Sequence, residues 1–436
     1  MNKMNFKEIA LNNFLEFERN LNGEKDLPIH SFRKKSFEYF NTLDLPTIKN
    51  EEWKYTNVSF LNNEYFKISN QKLDFSFDHI QKFLFDNLEH SLITLVNGFF
   101  NKNLSKLLDI PKGVEIISLA EALKLNHPIV EKYLGKISDN KDNFFTSLNT
   151  SFINDGVFIY IPDGKIIEDP IHIIFYQNSI QENNLVQPRN LFFIGKNSQV
   201  SIIEHYVSDT DTKYFTNSVT EIFVDENGIL DHIRLQEESL QAVHIGRMDV
   251  NQERYSNFSS HLISTGAKFS RNEFNTRFIG QGGESTLNGL FMIDGEQLFD
   301  AHTLIDHAQP NCNSHEHYKG ILQGNSRGVF NGKVMVRPDA QKTNAFQENN
   351  TILLSESATM NSKPQLEIFA DDVKCSHGAT VGKLNEEAMF YLKTRGIGQE
   401  AATAMLIHAF ASDVITSIKI EALRDYLEKI ITRKFN

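Results

Sequence analysis

Cysteine is almost missing from this chain of 436 residues, which holds only Cys312 and Cys375. Two thiols exclude a disulfide framework and fit a reducing compartment. They also rule out a self-contained four-thiolate site. No apolar run reaches the roughly 18 residues of a membrane span. The first twenty residues, MNKMNFKEIALNNFLEFERN, are broken by charges and predict no signal peptide. A basic excess is lacking too: 44 Lys and Arg stand against 56 Asp and Glu, for a net charge of −12. The pI near 5.7 argues against nucleic-acid binding. The expectation is a cytoplasmic, soluble protein with neither nucleic acid nor membrane as partner. A hydrophobic fraction of 40% allows a large core.

Catalytic signatures are also sparse. There is no G-x-x-x-x-G-K-[ST] and no H-E-x-x-H, and no spacing of Ser, His and acid selects a triad. Gly396-Ile397-Gly398-Gln399-Glu400-Ala401 fits the loose dinucleotide string. It lies between two helical patterns, not after a strand, and reads as a helix–helix turn. Gly324-Asn325-Ser326-Arg327-Gly328 fits the nucleophile-elbow string. Strand-like residues flank it on both sides, so it reads as a β-turn.

What is present falls into four stretches: 1–90, 91–150, 151–382 and 383–436. The first reads as helical. Phe6, Ala10, Phe14 and Phe17 share one helical face, which Leu11 and Leu15 leave. A second helix is expected around Phe32, Phe37 and Phe40, and a third over FDHIQKFLFDNL. The second stretch is mixed: LITLVNGFF reads as a strand, and Ser118 with Glu121 makes a capping-box pattern. From about residue 152, apolar residues run together or alternate, as in VFIYI, IHIIFY and VSIIEHYV. Turn signals punctuate them at 162–164, 195–197, 227–228, 280–283, 324–325 and 361–364. This long all-β stretch admits a β-sandwich or a parallel β-helix, and no strict short repeat decides between them. The last stretch returns to helix, with Asn385 as a cap and Gly396 as a terminator.

Two groups of metal-ligating residues stand out. His302, His307, His315 and His317 surround Cys312; imidazole and thiolate suit zinc, iron or copper. No zinc spacing is matched, and surface or stacked histidines are the alternative. Cys375 and His377 would share one face of a strand, about 7 Å apart. Both can ligate iron. The alternative is a buried cysteine beside a hydrogen-bonded histidine.

Longer strings carry a resemblance. FNGKVMVRPDAQKTNAFQENNTILLS, PQLEIFADDVKCSHGATVGKL and MFYLKTRGIGQEAATAMLIHAF strongly resemble the SufB/SufD family of iron–sulfur assembly proteins. DAHTLIDHAQPNCNSHEHYKG, with His307, Pro310, Ser314, Tyr318 and Lys319, is similar to a family strand. LPTIKNEEWKYTN, from Glu52 to Thr56, looks like the SufD-type entry motif. SufB-type chains carry a cysteine where this one has Leu392, and the KCSHGAT run belongs to the SufD branch. The resemblance covers most of the chain and is weakest between residues 60 and 150.

The resemblance implies a mainly β fold: a right-handed parallel β-helix between N- and C-terminal helical domains. It implies a non-catalytic scaffold that pairs with a SufB-type paralogue and seats a SufC-type ABC ATPase. The seat maps to Phe390, Tyr391, Arg395, Gly396 and Ile397 with the following helix. His377 and Cys375 become candidate ligands of an iron or iron–sulfur cluster shared with SufB. No cofactor is then held stably by the chain alone. Reduced flavin and a sulfur-donating desulfurase belong to the implied system, and both a homodimer and a monomer are left open for the isolated chain. The competing classes are a stand-alone metal-transfer protein using the 302–317 histidines and a β-helix enzyme acting on polysaccharide.

Overall fold

The computed structural model describes residues 5–68, 75–178, 183–209 and 211–435. From Arg189 onward, consecutive long strands alternate between two sheets. Among the described residues the front sheet has eleven strands and the back sheet ten. From Arg189 onward every pairing between the long strands is parallel. One front and one back strand make a turn of a solenoid, and the next turn stacks on it at the inter-strand spacing of about 4.8 Å. The parallel pairing excludes the sandwich that the strand pattern left open. In the front sheet Phe215 pairs with Val243, Val243 with Phe269, Phe269 with Leu298, Leu298 with Arg327 and Arg327 with Thr359. The steps are 28, 26, 29, 29 and 32 residues. Corners of unequal length absorb the difference, which is why no fixed repeat shows in the sequence.

The corners leading from front to back sheet share one device. Asn197, Asn227, Tyr255, Gly282, Asn311 and Lys342 stack above one another, all left-handed, with φ between 53° and 72°. The N–H of each bonds a carbonyl one turn on: Asn227 to Arg254 at 3.1 Å, Tyr255 to Gln281 at 2.9 Å, Gly282 to Pro310 at 3.1 Å. The inter-strand ladder therefore runs on through the corner at this position. Asparagine tolerates this conformation and glycine adopts it freely.

Helices cover both sheets. Phe6–Asn20, Pro28–Thr42 and Phe144–Ser151 lie on the front sheet, where Phe6, Phe14, Phe37, Phe40 and Phe145 meet Phe215, Val243 and Phe269. Phe6, Ala10, Phe14 and Phe17 are buried and Leu11 and Leu15 exposed, as their spacing predicts. Gln399–Thr416 and Glu421–Phe435 lie on the back sheet. There Ile407, Val414, Leu423, Leu427 and Ile431 pack on Ile203, Ile233, Leu235 and Ile321. No helix among the described residues is long and apolar enough to cross a membrane.

Two expectations are corrected. FDHIQKFLFDNL forms one helical turn, Asp78–Gln81, not a helix. Beyond it Phe85 is spent on stacking against His172, 4.6 Å between ring centres. The predicted turn at 361–364 lies inside the strand Thr359–Ile368. Pro364 fits there because this is an edge strand, where one missing N–H breaks no ladder.

The solenoid interior is partly polar. Glu204 and Arg234 form a fully buried ion pair. Glu204 also accepts from Thr220 at 2.8 Å and Asn190 at 3.0 Å, and meets His232 at 3.1 Å. Burial alone would lift the Glu204 carboxyl, but Arg234 and His232 hold it below the usual range. Glu316, two turns below the open end, has no such cation. It accepts from Gln347 Nε2 at 2.6 Å, and burial pushes its pKa up to about 7.

Two outcomes follow. Gly282→Ala places a methyl group 2.5 Å from the Tyr255 ring in a left-handed corner. It should cost about 1–3 kcal/mol, read by urea denaturation; an unchanged midpoint would contradict the corner's role. For Glu316, the folded protein keeps a proton that the unfolded chain releases near pH 4.5. Stability should then fall as pH rises from there, with the loss complete above about 7. Glu316→Gln should raise the Tm at pH 8 and leave it nearly unchanged at pH 4.5.

Candidate functional site at the open end of the solenoid

The two ends of the solenoid differ. At the N-terminal end short antiparallel strands close both sheets: Glu115–Ser118 pairs with Val157–Ile161, and Phe99–Phe100 folds back on Ser91–Val96. At the other end, Thr359–Ile368 ends the front sheet and Lys374–Gly382 the back sheet, each paired on one side only. Among the described residues nothing covers this edge. Phe346, Phe369 and Val381 are exposed around it. Such an edge is a template for another chain's strands.

Cys375 and His377 sit on the last back-sheet strand. Cys375 pairs in register with Ala345 and His377 with Gln347, both buried, while Phe346 between them is exposed. The two candidates therefore face the solenoid axis at its mouth. Cys375 is half-buried against the apolar core, and burial pushes its thiol pKa up. His377 is exposed. This end presents one thiol and one imidazole on one face, two residues apart, beside an unpaired edge.

The residues from 302 to 317 do not converge. His302 lies on the outer side of the front sheet, between Asp300 at 3.0 Å and Glu52 at 3.4 Å. Burial and Arg271 oppose charge on His302, but Asp300 and Glu52 prevail and its pKa is raised. His307 is buried, bonds Ser314 at 2.8 Å, and is lowered by burial to about 4. Cys312 is fully buried against the carbonyls of Gly280 and Pro310. His315 and His317 alternate with buried Ser314, Glu316 and Tyr318 and so face outward on the back sheet. No three His, Cys, Asp or Glu side chains among the described residues are grouped to hold a metal. Strand alternation and the two-sheet topology divide what the sequence had clustered.

The C-terminal candidates share one exposed turn. Asn385 caps the helix Glu386–Thr394, its side chain accepting from Ala388 N–H, as predicted. Gly396, at φ 82°, ends it. Phe390 and Tyr391 are 70% and 57% exposed, and Arg395 lies 5.2 Å from the Tyr391 ring centre. This helix has no buried residue, unlike the two that follow. It presents an aromatic and cationic face that the chain itself leaves unused.

The entry motif clamps the front sheet. The Arg271 guanidinium lies 3.8 Å from the Trp53 ring centre, and its Nη1 donates to the Glu52 carbonyl at 2.9 Å. Thr56 donates to Asp300 at 2.5 Å, and Asn331 to Glu52 at 3.2 Å. Glu51 reaches Lys363 on the edge strand itself. A cleft of 930 Å³ beside the motif is lined by charges of both signs, Arg247, Arg271 and Lys333 against Glu52 and Glu273. Sequence reasoning missed the front-sheet partners of this clamp. Their signal was charges two apart inside strand patterns, Arg247 with Asp249, Arg271 with Glu273 and Asp300 with His302.

Two family profiles match the chain. "SUF system FeS cluster assembly, SufBD core domain" covers residues 175–410, and "SufBD protein N-terminal region" covers residues 4–173. An iron–sulfur cluster assembly SufBD family protein of Synechocystis is 31% identical, over 94% of this chain and 92% of its own length. The iron–sulfur cluster assembly protein SufD of Escherichia coli is 30% identical over 87% of both chains. SufD of Bacillus subtilis is 26% identical over 90% of this chain and 91% of its own. The edge, the exposed helix and the clamp thus lie in a sequence matched almost throughout, and the chain belongs to the SufBD family of the SUF iron–sulfur cluster assembly system, as a SufD-type member.

Proposed function

We propose that this chain is the non-catalytic SufD-type scaffold of a cytoplasmic iron–sulfur assembly complex. It pairs through its open edge with a SufB-type paralogue and seats a SufC-type ABC ATPase. The seat is the exposed turn of Phe390, Tyr391, Arg395, Gly396 and Ile397 with the outer face of the next helix, where Met405 is exposed. The observation that carries the reading is the asymmetry of the solenoid ends: one closed by antiparallel strands, the other left as two parallel edges carrying Cys375 and His377. A second solenoid of the same strand spacing satisfies both edges at once. In the isolated chain a second copy takes that place and gives a homodimer.

The nascent cluster is cargo, held between chains. Cys312 is sealed in the core, so this chain offers Cys375 and His377 at most. A cluster normally takes four ligands, and histidine replaces cysteine in some two-iron centres. The remaining ligands then come from the SufB-type partner, with sulfur from a desulfurase system and electrons from reduced flavin.

Co-expression with the SufB- and SufC-type proteins of the same source, weighed by native mass spectrometry, tests the scaffold. A complex with two ATPase copies is expected; a chain recovered alone or only with itself would refute the assembly role. Within that complex, His377→Ala should lower cluster yield roughly tenfold, read by absorbance and iron content, with the assembly intact. An unchanged yield would remove His377 from the ligand set.

A further inference from the structure

Lys319 belongs to the Tyr318-Lys319 pair noted in the sequence, on the strand Asn313–Leu322 of the back sheet. Tyr318 turns into the core, and Lys319 turns out into the helices. The residue is 5% exposed, beside the apolar packing of Ile321 and Leu290 against the helices. It donates to the Phe410 carbonyl at 2.8 Å, pairs with the Asp413 carboxylate, and lies 4.7 Å from the Phe410 ring centre. All three contacts are to one helix, Gln399–Thr416. Hydrogen bonding from Lys319 holds the Asp413 carboxyl below its ordinary range.

Other polar fasteners join the C-terminal helices to the back sheet. Lys419 meets Asp231 at 2.8 Å, Tyr426 donates to Glu237 at 2.6 Å, and Ser417 meets His261 at 3.0 Å and Asn288 at 3.2 Å. Each of these lands at least one strand farther from the open edge than Lys319 does. Lys319 pairs in register with Asn350, and Asn350 with Thr380. Thr380 donates to the Asn350 side-chain oxygen at 2.5 Å, and Asn350 is itself held by Glu348 at 2.9 Å. Thr380 stands three residues from His377 on the edge strand. Two register steps thus connect the helix to the strand that carries the candidate ligands.

We propose that Lys319 is a positioning residue: it ties the helix next to the ATPase seat to the back-sheet strands, so that displacement of the helices shifts the edge strand bearing Cys375 and His377. The inference rests on the reading of those helices as an ATPase seat. Apolar packing and the farther fasteners hold the helices on the sheet as a body, and the Lys319 contact fixes Gln399–Thr416 on the strand that lies nearest the open edge of those so fastened. A displaced helix that keeps its hold on Lys319 draws that strand with it, and the parallel ladder passes the shift to the two strands beyond.

The test uses the full complex with its SufB- and SufC-type partners and a non-hydrolysable ATP analogue. Hydrogen exchange of residues 374–382 is measured with and without the nucleotide. The wild-type complex should show a nucleotide-dependent change in that strand. Lys319→Met keeps the apolar stem and removes the charge. It should leave the ATPase bound, by native mass spectrometry, and shrink the nucleotide response roughly fivefold. Asp413→Asn breaks the same pair from the helix side and should act likewise, with no further loss in the double variant. Should Lys319→Met fail to fold, Asp413→Asn carries the same readout. A full wild-type response in a folded single variant would overturn the inference alone. A wild-type chain that captures no ATPase would overturn the seat, and the inference with it.

Discussion

Parallel strands in a solenoid cannot satisfy themselves. The backbone groups of each turn find partners only in the turns before and after, so the whole β core depends on an unbroken ladder between successive turns. The left-handed corners extend that ladder where the chain changes sheet, and they ask residues such as Tyr255 and Lys342 to accept an unfavourable conformation. The same requirement poses a problem at each end. Antiparallel strands answer it at the N-terminal end. At the other end the ladder stops in open donors and acceptors, and the candidate ligands Cys375 and His377 stand there. Fold and candidate site thus share one cause.

A second consequence concerns polar burial. Stacked turns place like positions above one another, so a charge at one inward position needs its partner at a neighbouring turn. Glu204 and Arg234 meet this condition across adjacent turns of the back sheet; Arg189 and Glu221 also pair across adjacent turns, on the outer face of the front sheet beneath the N-terminal helices. Breaking such a pair leaves an uncompensated buried charge, which costs far more than the pair gains over an apolar substitute. A slip of one residue would part these pairs as well as turn the apolar face outward. Glu316 shows the other solution, a carboxyl that keeps its proton beneath an amide.

Much of this was legible in the sequence. The helical face of Phe6, Ala10, Phe14 and Phe17, the cap at Asn385 and the turn at Gly396 rest on local chemistry, and local chemistry is what spacing reports. The strand texture was equally plain. Its closure into a solenoid was not, because corners of unequal length hide the repeat, and the resemblance supplied that step. Pro364 misled because an edge strand tolerates what an inner strand does not. The histidines of 302–317 left two readings open for a different reason: proximity along the chain says little when successive strands go to opposite sheets. Lys319 was visible only as part of the family strand and Arg271 only as a charge two residues from Glu273, and their partners Asp413 and Asp300 lie 94 and 29 residues away.

The closed and open ends also set an order in time. Synthesis delivers the N-terminal turns first, and domains begin to fold in that order. The antiparallel closure at Phe99–Phe100 and Glu115–Ser118 is thus available before the long strands emerge, and gives them a finished surface on which to add turn by turn. The adhesive edge is the last part of the solenoid to appear, followed by the helices that cover the back sheet. The edge that stays open in the finished chain is thus laid down last, on turns synthesised before it.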